Sequence, residues 1–402
     1  MNLPSLRKCW PSILFMTVGG VVGYTAWGLN SETSSLFALL ILPVAWIFTK
    51  TKSQAAVLIF FYYLAASRGI PAGVDIFFGS GSPWFKGFGL WVLAAIICML
   101  PYIIFYRESN KAVSFIAGLL VSLIPPFALI GWTNPITIAG NLYPSLGFAG
   151  ILLTLLIFYF VIRKSYFLIS IAFLASVSLN LADHSIPFDS ELDWYAQNTN
   201  FPGLSDDDYH AQVVLMGFER TAWIEKYVQE LPKNSAVLLP ENLLLLRVTE
   251  VTKPILNRYH RILQGKNSLM LVGAEVDKKD GGYKNTLISL GGNQGIGYAI
   301  QDIPVPVAMW KPFDPGESAD ANIFGKSRTG LVVDGKKMSA LICYEQLLPY
   351  SYLRVFKDKP ELLLAVANVW WAKNSSIPKI QDQTVKSLAR LFKSNYLIAK
   401  NE

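Results

Sequence analysis

Two hydrophobicity patterns divide the chain. Apolar residues first run in long stretches, at 13–29, 35–49, 53–67, 87–106, 112–132, 146–162 and 165–182, separated by short polar or aromatic loops. Several reach the roughly 17 to 25 residues a spanning helix requires. The second and third are short, and Pro43, Pro101, Pro125 and Pro126 interrupt others. Neighbouring helices can satisfy the backbone groups that proline frees. The pattern therefore predicts a multi-span α-helical membrane domain of about seven helices over residues 1–183. The first run lacks a small-residue cleavage site and further spans follow it, so no cleavable signal peptide is expected.

Beyond Leu181 the rhythm shortens. A polar, irregular stretch at 184–211 reads as a juxtamembrane connection. Short apolar runs then alternate with charged segments of helical spacing, which predicts an α/β domain over 212–402. Strands are expected at 212–217, 235–239, 268–273, 285–289, 297–301, 339–343 and 362–369, and helices at 219–231, 250–263, 346–357 and 377–393. The run SLGGNQGIGYAI has its glycines at the wrong spacing for a dinucleotide fingerprint and reads as a hairpin turn.

Charge fixes the expected orientation. With 52% hydrophobic and 16% charged residues, the chain is neither disordered nor wholly water-soluble. Residues 1–183 carry 10 basic and 4 acidic side chains, and the remainder carries 25 and 24. The excess of positive charge thus belongs to the apolar part and does not mark a nucleic-acid surface. Lysines and arginines fall in alternate loops, at Arg7 and Lys8, Lys50 and Lys52, Arg107 and Lys111, and Arg163 and Lys164. Cationic loops stay cytoplasmic, so seven spans place the α/β domain on the far side of the membrane, the periplasm of a Gram-negative cell. The loop from Arg68 to Lys86, rich in glycine and aromatics, reads as re-entrant or interfacial, with Trp84 and Phe85 suited to the membrane boundary.

Three cysteines are present, and Cys343 is the one in the α/β part, so no disulfide forms within it. A lone cysteine ending an apolar strand can be a small buried hydrophobe. In LICYEQLLPYSYL, however, the strand ends at Cys343 and a helix is expected within two or three residues. Backbone N–H groups at such a turn stabilise both a thiolate and an oxyanion. A thiol also needs a base or a cation to react at neutral pH. Glu241 ends the strand SAVLLPE and is a candidate base, with a solvated loop carboxylate as the plain alternative. Glu345 is either a supporting acid or a residue that interacts with the helix dipole. His184, His210 and His260 stand beside no strand end, which argues against a Cys–His dyad. No metal-ligand spacing occurs, and no metal or cofactor is expected.

The order strand–Glu241, hairpin, strand–Cys343 resembles the nitrilase superfamily, whose Glu, Lys and Cys triad sits in an αββα sandwich. The segments VVLMG, LLPEN, LVGAE, YKNTLIS, LICYE and ANVWWA resemble those of apolipoprotein N-acyltransferase in the same order, across residues 212–372. Three features depart from that enzyme. The lysine position falls on Ile300 or Gln301, depending on whether it is counted from Tyr298 or back from Val305 and Pro306; Ala308 and Met309 occupy the place of a further glutamate; and NYLIAKNE ends the sequence without the family's last strands or a final membrane helix. With YYLAASRGIPAGVDIFFG and PVPVAMWKPF, the chain resembles instead the TraB-type conjugal transfer proteins, shorter membrane relatives of the acyltransferase.

The resemblance implies a C-terminally short nitrilase-like domain and a bacterial inner-membrane location. It also implies an amidase or N-acyltransferase with Cys343 as nucleophile, Glu241 as base, Tyr344 and Glu345 in support, and Gln301 near the lysine position. Lys311 is a further candidate cation. A membrane lipid or an acylated or amide substrate, and other conjugal transfer proteins, are the expected partners; direct nucleic-acid binding is not expected. The alternative is a catalytically silent scaffold of the conjugation machinery.

Overall fold

A computed structural model describes residues 3–78, 85–183, 187–203, 209–250, 252–279, 281–311, 313, 316 and 318–402, without the side chains of 3–10, 209–214 and 245–247. Cys9, His184 and His210 therefore lie outside the described side chains, and Trp84 outside the described residues. The chain forms two compact units. Residues 1–185, 347–350 and 372–393 make the first, and residues 186–346, 351–371 and 394–402 make the second.

The first unit contains helices α1 (Leu3–Ala26), α2 (Ile41–Phe48), α3 (Lys52–Ala66), α4 (Ile70–Phe77), α5 (Phe85–Ile104), α6 (Lys111–Ser122), α7 (Ala139–Leu142), α8 (Phe148–Arg163) and α9 (Tyr166–Ala182). Aromatic side chains fill its interior. Trp46 meets Tyr102, Tyr106 and Phe115 edge-on, and Tyr62 accepts from Trp27 Nε1 (2.9 Å) while donating to the Thr133 carbonyl (2.5 Å). Gly19 and Gly23 bring α1 against the α3 backbone, because a Cβ at either would strike the Leu58 or Tyr62 carbonyl. Phe48, Phe167, Leu174 and Leu181 point outward, more than half exposed. Helix α5 is long and apolar enough to cross a membrane alone, and α3 with α4 passes the same test as a pair bent by 47°. Part of the Arg68–Lys86 loop is thus helix α4, set at an angle to the helix before it.

The second unit is built on two sheets. Strands β1 (Asp193–Ala196), β2 (Ser235–Leu238), β3 (Leu244–Val248), β4 (Leu269–Asp277), β5 (Tyr283–Gly291) and β6 (Gly297–Ile300) form the first, in the order β1-β2-β4-β5-β6, with β3 also pairing with β4. Strands β7 (Gly330–Val333), β8 (Lys336–Ile342), β9 (Leu362–Asn368) and β10 (Asn395–Asn401) form the second, in the order β10-β9-β8-β7. Side-chain alternation divides each strand between two cores. Leu269, Leu271 and Leu287 face Met338, Ala340, Ile342, Leu364 and Val366 between the sheets. Met270, Val272, Ile288 and Leu290 pack on the other side against helices α10 (Tyr209–Glu230) and α11 (Lys253–Gly265).

Several sequence expectations change here. Residues 212–217 are not a strand but lie inside α10. Ile224, Val228 and Leu231 are buried at helical spacing, so the apolar run opens a long helix instead of preceding one. The stretch 184–211 is more than a connection: Leu192 is buried between the sheets and β1 pairs in parallel with β2. NYLIAKN does form a strand, β10, paired in parallel with β9.

Parallel neighbours need a crossover. Between β8 and β9 it holds α12 (Pro349–Val355), and between β9 and β10 it is α13 (Ile377–Phe392). Residues 372–393, including α13, group with the first unit. There Gln383 Nε2 donates to Ser35 Oγ (2.8 Å), Ser387 Oγ to the Thr137 carbonyl (2.5 Å), and Arg390 Nε to Asp183 (2.7 Å). The boundary expected at residue 212, with everything after it in one domain, is therefore replaced by a chain that leaves the second unit and returns to it.

Candidate active site

Strand β2 delivers Glu241. Past Leu239 and Pro240 the chain turns sharply, and Asn242 takes a left-handed φ of 50°. Gly273 on β4 permits the turn. Its N–H donates to the Pro240 carbonyl (3.1 Å), and a Cβ there would lie 2.5 Å from Glu241 Cα and Asn242 N. Arg220, buried on α10, donates to the Asn242 carbonyl (3.2 Å) and stacks over Phe201.

Cys343 follows β8 in the opposite sheet. Its φ of 52° is left-handed, a conformation that costs a residue with a Cβ about 1–3 kcal/mol and that accumulates at functional sites. The thiol donates to the Glu241 carboxylate, and the backbone N–H groups of Tyr344 and Asn368 donate to the sulfur. Two distant strand ends are thereby joined. Glu241 accepts two more hydrogen bonds, from Asn285 Nδ2 to Oε1 (2.6 Å) and from the Asn368 N–H to Oε2 (2.9 Å). Asn401 on β10 steadies Asn368 by donating from Nδ2 to its Oδ1 (2.9 Å).

Gln301, just past β6, is the residue that reaches this cluster. Its Oε1 accepts from Asn285 Nδ2 (3.1 Å), and its Nε2 donates to the Ile342 carbonyl (2.8 Å). One of its two amide N–H groups is thus directed to the main chain just before Cys343. A carboxylate can only accept, so Asn285 must turn its amide nitrogen to Glu241. That nitrogen presents its second N–H to Gln301 Oε1, which leaves Gln301 Nε2 for the carbonyl.

Glu345 does not face the sulfur. Its Oε1 accepts from the Asp302 and Ile303 N–H groups (2.9 and 3.1 Å) and its Oε2 from the Ile342 N–H (3.1 Å), clamping the end of β8 to the loop after β6. Asp302 is in turn paired with Arg328 (3.0 Å) and Arg354 (3.1 Å). Tyr344 is buried and contributes its main-chain N–H. Lys311 sits in the loop after Pro306, its N–H donating to Ser318 Oγ (2.9 Å).

Burial sets the protonation states. It pushes the Glu241 carboxyl up, against the pull of its hydrogen bonds from Cys343, Asn285 and Asn368. It pushes the Cys343 thiol well above the ordinary cysteine range, and the Glu241 charge adds to this. Glu345 is pushed up to about 8, first by burial and then by Asp302. Burial thus favours the neutral form of the Cys343 thiol. Iodoacetamide labelling of Cys343 is accordingly expected to rise only at pH above the midpoint of a free cysteine, about 8.5, read by mass spectrometry of its peptide. The sign follows from linkage: the folded state favours the neutral thiol, so the stability it contributes is complete below the free-cysteine pKa and is lost as pH climbs beyond it.

The sequence did not single out Asn285, Asn368, Gly273 or Glu275. Glu275 stands opposite Asn285 in the β4–β5 register, and its charge bears on Glu241. Their signal was the ordered segments LVGAE, YKNTLIS and ANVWWA, which contain all four.

The arrangement is a cysteine–carboxylate pair held between two sheets of an α/β domain. Over nearly its whole length the chain is similar to TraB proteins: it is 26% identical over 393 residues to a probable conjugal transfer protein TraB of Sinorhizobium fredii, covering 96% of each. It is also 26% identical to the conjugal transfer protein TraB of Agrobacterium fabrum, covering 96% of this chain and 92% of that one. Apolipoprotein N-acyltransferase of Neisseria meningitidis serogroup B is 26% identical over 172 residues, 38% of this chain and 34% of the enzyme. Among solved structures, a carbon-nitrogen hydrolase from Helicobacter pylori superposes with a TM-score of 0.34 at 13% identity, over 49% of this chain and 68% of that one. No protein-family model matches the chain.

Proposed function

We propose that this chain is an inner-membrane protein of conjugal transfer whose α/β unit is a nitrilase-like, periplasmic amidase or N-acyltransferase. The observation that carries the enzymatic reading is the thiol–carboxylate hydrogen bond between Cys343 and Glu241 at two strand ends. The similarity to TraB proteins supports the setting, and the apolar stretches with their alternating cationic loops support a multi-span anchor with the α/β unit outside the cytoplasm.

In this reading the Cys343 sulfur attacks the carbonyl carbon of an acyl donor as its proton passes to Glu241. The Tyr344 N–H, already directed at the sulfur, is the candidate donor to the developing oxyanion. Collapse of the tetrahedral adduct breaks the bond to the leaving group, which takes the proton back from Glu241 and leaves a thioester. Water or an amine then attacks the thioester, again through Glu241, and frees the thiol.

A scaffold is the second reading. It is favoured by Gln301, a neutral amide tied to the main chain where a triad would hold a lysine. The test is thioester capture. Full-length protein in detergent is incubated with a p-nitrophenyl acyl ester or a phospholipid donor, quenched in acid and digested. A hydroxylamine-labile acyl mass on the Cys343 peptide, absent in Cys343→Ala, is the expected result; an unmodified peptide from folded wild type overturns the enzymatic reading.

A further inference from the structure

Glu241 is placed awkwardly for a base. A base must be ionised to take a proton, yet burial pushes this carboxyl up, toward its protonated form. The titratable and charged groups that bear on it are the Cys343 thiol after β8, which donates to it, and Glu275 on β4, whose charge opposes its ionisation. Arg220 of α10 bonds to the carbonyl of the neighbouring Asn242. The remaining contacts are amides: Asn285 of β5, backed by Gln301 past β6, and the Asn368 N–H at the end of β9.

The side-chain amides favour the ionised form, and their direction is fixed from the far end. The Ile342 carbonyl can only accept, so Gln301 must present Nε2 to it (2.8 Å) and Oε1 to Asn285 (3.1 Å). Asn285 must then present Nδ2 to Gln301, and the second N–H of the same nitrogen falls to Glu241 Oε1 (2.6 Å). Both N–H groups of that nitrogen are in use. The chain of bonds therefore starts at a main-chain oxygen that never titrates, and its polarity does not depend on the charge of Glu241.

An independent observation shows that this direction is held at a cost. Asn285 is 3% exposed, and its Oδ1 is fully buried and accepts nothing among the described residues. A buried acceptor without a donor is destabilising and persists in native structures where another requirement outweighs it. Turning the amide over would set Oδ1 against Gln301 Oε1 and the Glu241 carboxylate, two acceptors. The side chain forgoes a partner for its oxygen and keeps its donors on Gln301 and Glu241.

Building on the proposed roles of Cys343 and Glu241, we infer that Gln301 and Asn285 are positioning residues that form a one-way relay: Gln301, pinned to the Ile342 carbonyl, orients Asn285 so that an N–H faces Glu241 Oε1 and favours its proton-accepting form. Gln301 then acts on the base through a second side chain. Ile342 directly precedes Cys343, so the relay and the thiol–carboxylate bond close a ring across the two sheets.

The pH dependence of Cys343 acylation tests this on the full chain in detergent, with a p-nitrophenyl acyl ester as donor and the acyl mass on the Cys343 peptide, after an acid quench, as the readout. Where Glu241 is protonated the rate falls, which gives the profile an acid limb. An N–H donated to a carboxylate favours the charged form, so removing it moves that limb to higher pH. At the pH where wild type runs at half its plateau, Asn285→Leu is expected to run at about a tenth of its own plateau, the effect of one hydrogen bond to a charged group. Gln301→Met should move the limb the same way by a smaller amount. The double variant should move it no further than Asn285→Leu alone, because Gln301 acts through Asn285. Each rate is scaled to the variant's own plateau, so a loss of folded protein, which is all that a merely structural role predicts, leaves the limb in place. An unmoved limb in Gln301→Met, or a double-variant shift equal to the sum of the two single shifts, overturns the inference while leaving the acylation chemistry standing. If Asn285→Leu does not fold, Asn285→Ala replaces it, and Gln301→Met still decides by itself. A wild type that never acylates overturns the inference and the proposed chemistry together.

Discussion

Glu241→Gln is expected to slow acylation of Cys343 by about 10²- to 10⁴-fold, the usual contribution of a positioned general base. Three contacts make the carboxylate hard to replace. It accepts from the Cys343 thiol, from Asn285 Nδ2 and from the Asn368 N–H, and a glutamine offers one acceptor oxygen and one amide nitrogen. Whichever way that amide is turned, an N–H faces another N–H, either at Asn285 or at Asn368. A buried donor left unpaired costs about 1–3 kcal/mol, so a modest fall in thermal stability should accompany the kinetic loss. Stopped-flow measurement of p-nitrophenolate release in wild type and variant separates the two effects, because a merely destabilised protein recovers its rate on cooling and one without its base does not. An unchanged rate would remove Glu241 from the mechanism.

Glu345→Ala is expected to cost stability before it costs chemistry. Its carboxyl accepts from three backbone N–H groups, those of Ile342, Asp302 and Ile303, and none of these gains another partner when the side chain is cut to a methyl. At about 1–3 kcal/mol for each stranded donor, the loss is roughly 3 kcal/mol or more, a large share of the 5–15 kcal/mol that holds a typical domain together. A lowered midpoint in thermal or chemical unfolding of the purified chain is the measurement. Glu345→Gln should recover part of it, since an amide oxygen still accepts. The pH dependence has a definite sign: with the carboxyl pushed up to about 8, the protonated form is favoured in the folded state. The stability it contributes is complete below the ordinary glutamate pKa and is lost as pH rises through about 8. A variant as stable as wild type would reduce Glu345 to a bystander.

Both residues were visible as acids next to apolar strands, and their separation into base and clamp was not. Cys343 and Glu241 each close a run of consecutive apolar residues, so the end of the run marks them. Of Ile300 and Gln301, the one that bonds to the Glu241 cluster is Gln301, through Asn285 Nδ2, and counting along the chain does not distinguish them. Asn285 and Asn368 carried no local mark, because an asparagine inside a strand gains its role from a carboxylate 44 or 127 positions away. QVVLMG is rich in β-branched residues but too close to a helical spacing of buried Ile224, Val228 and Leu231 to stand as a strand. Strands β1 and β10 are DWYA and NYLIAKN, partly exposed at the edges of their sheets, and their apolar runs are only three and four residues long, flanked by polar ones.

Helix α13 has a practical corollary for anyone wishing to handle the second unit by itself. A fragment starting after residue 183 would still contain the stretch with Gln383, Ser387 and Arg390, but not Ser35, Thr137 or Asp183, to which they bond. Trimming that stretch away instead would sever β9 from β10, and with β10 goes Asn401, the support of Asn368. Neither cut keeps the surroundings of Cys343 intact, so the polypeptide is best purified whole.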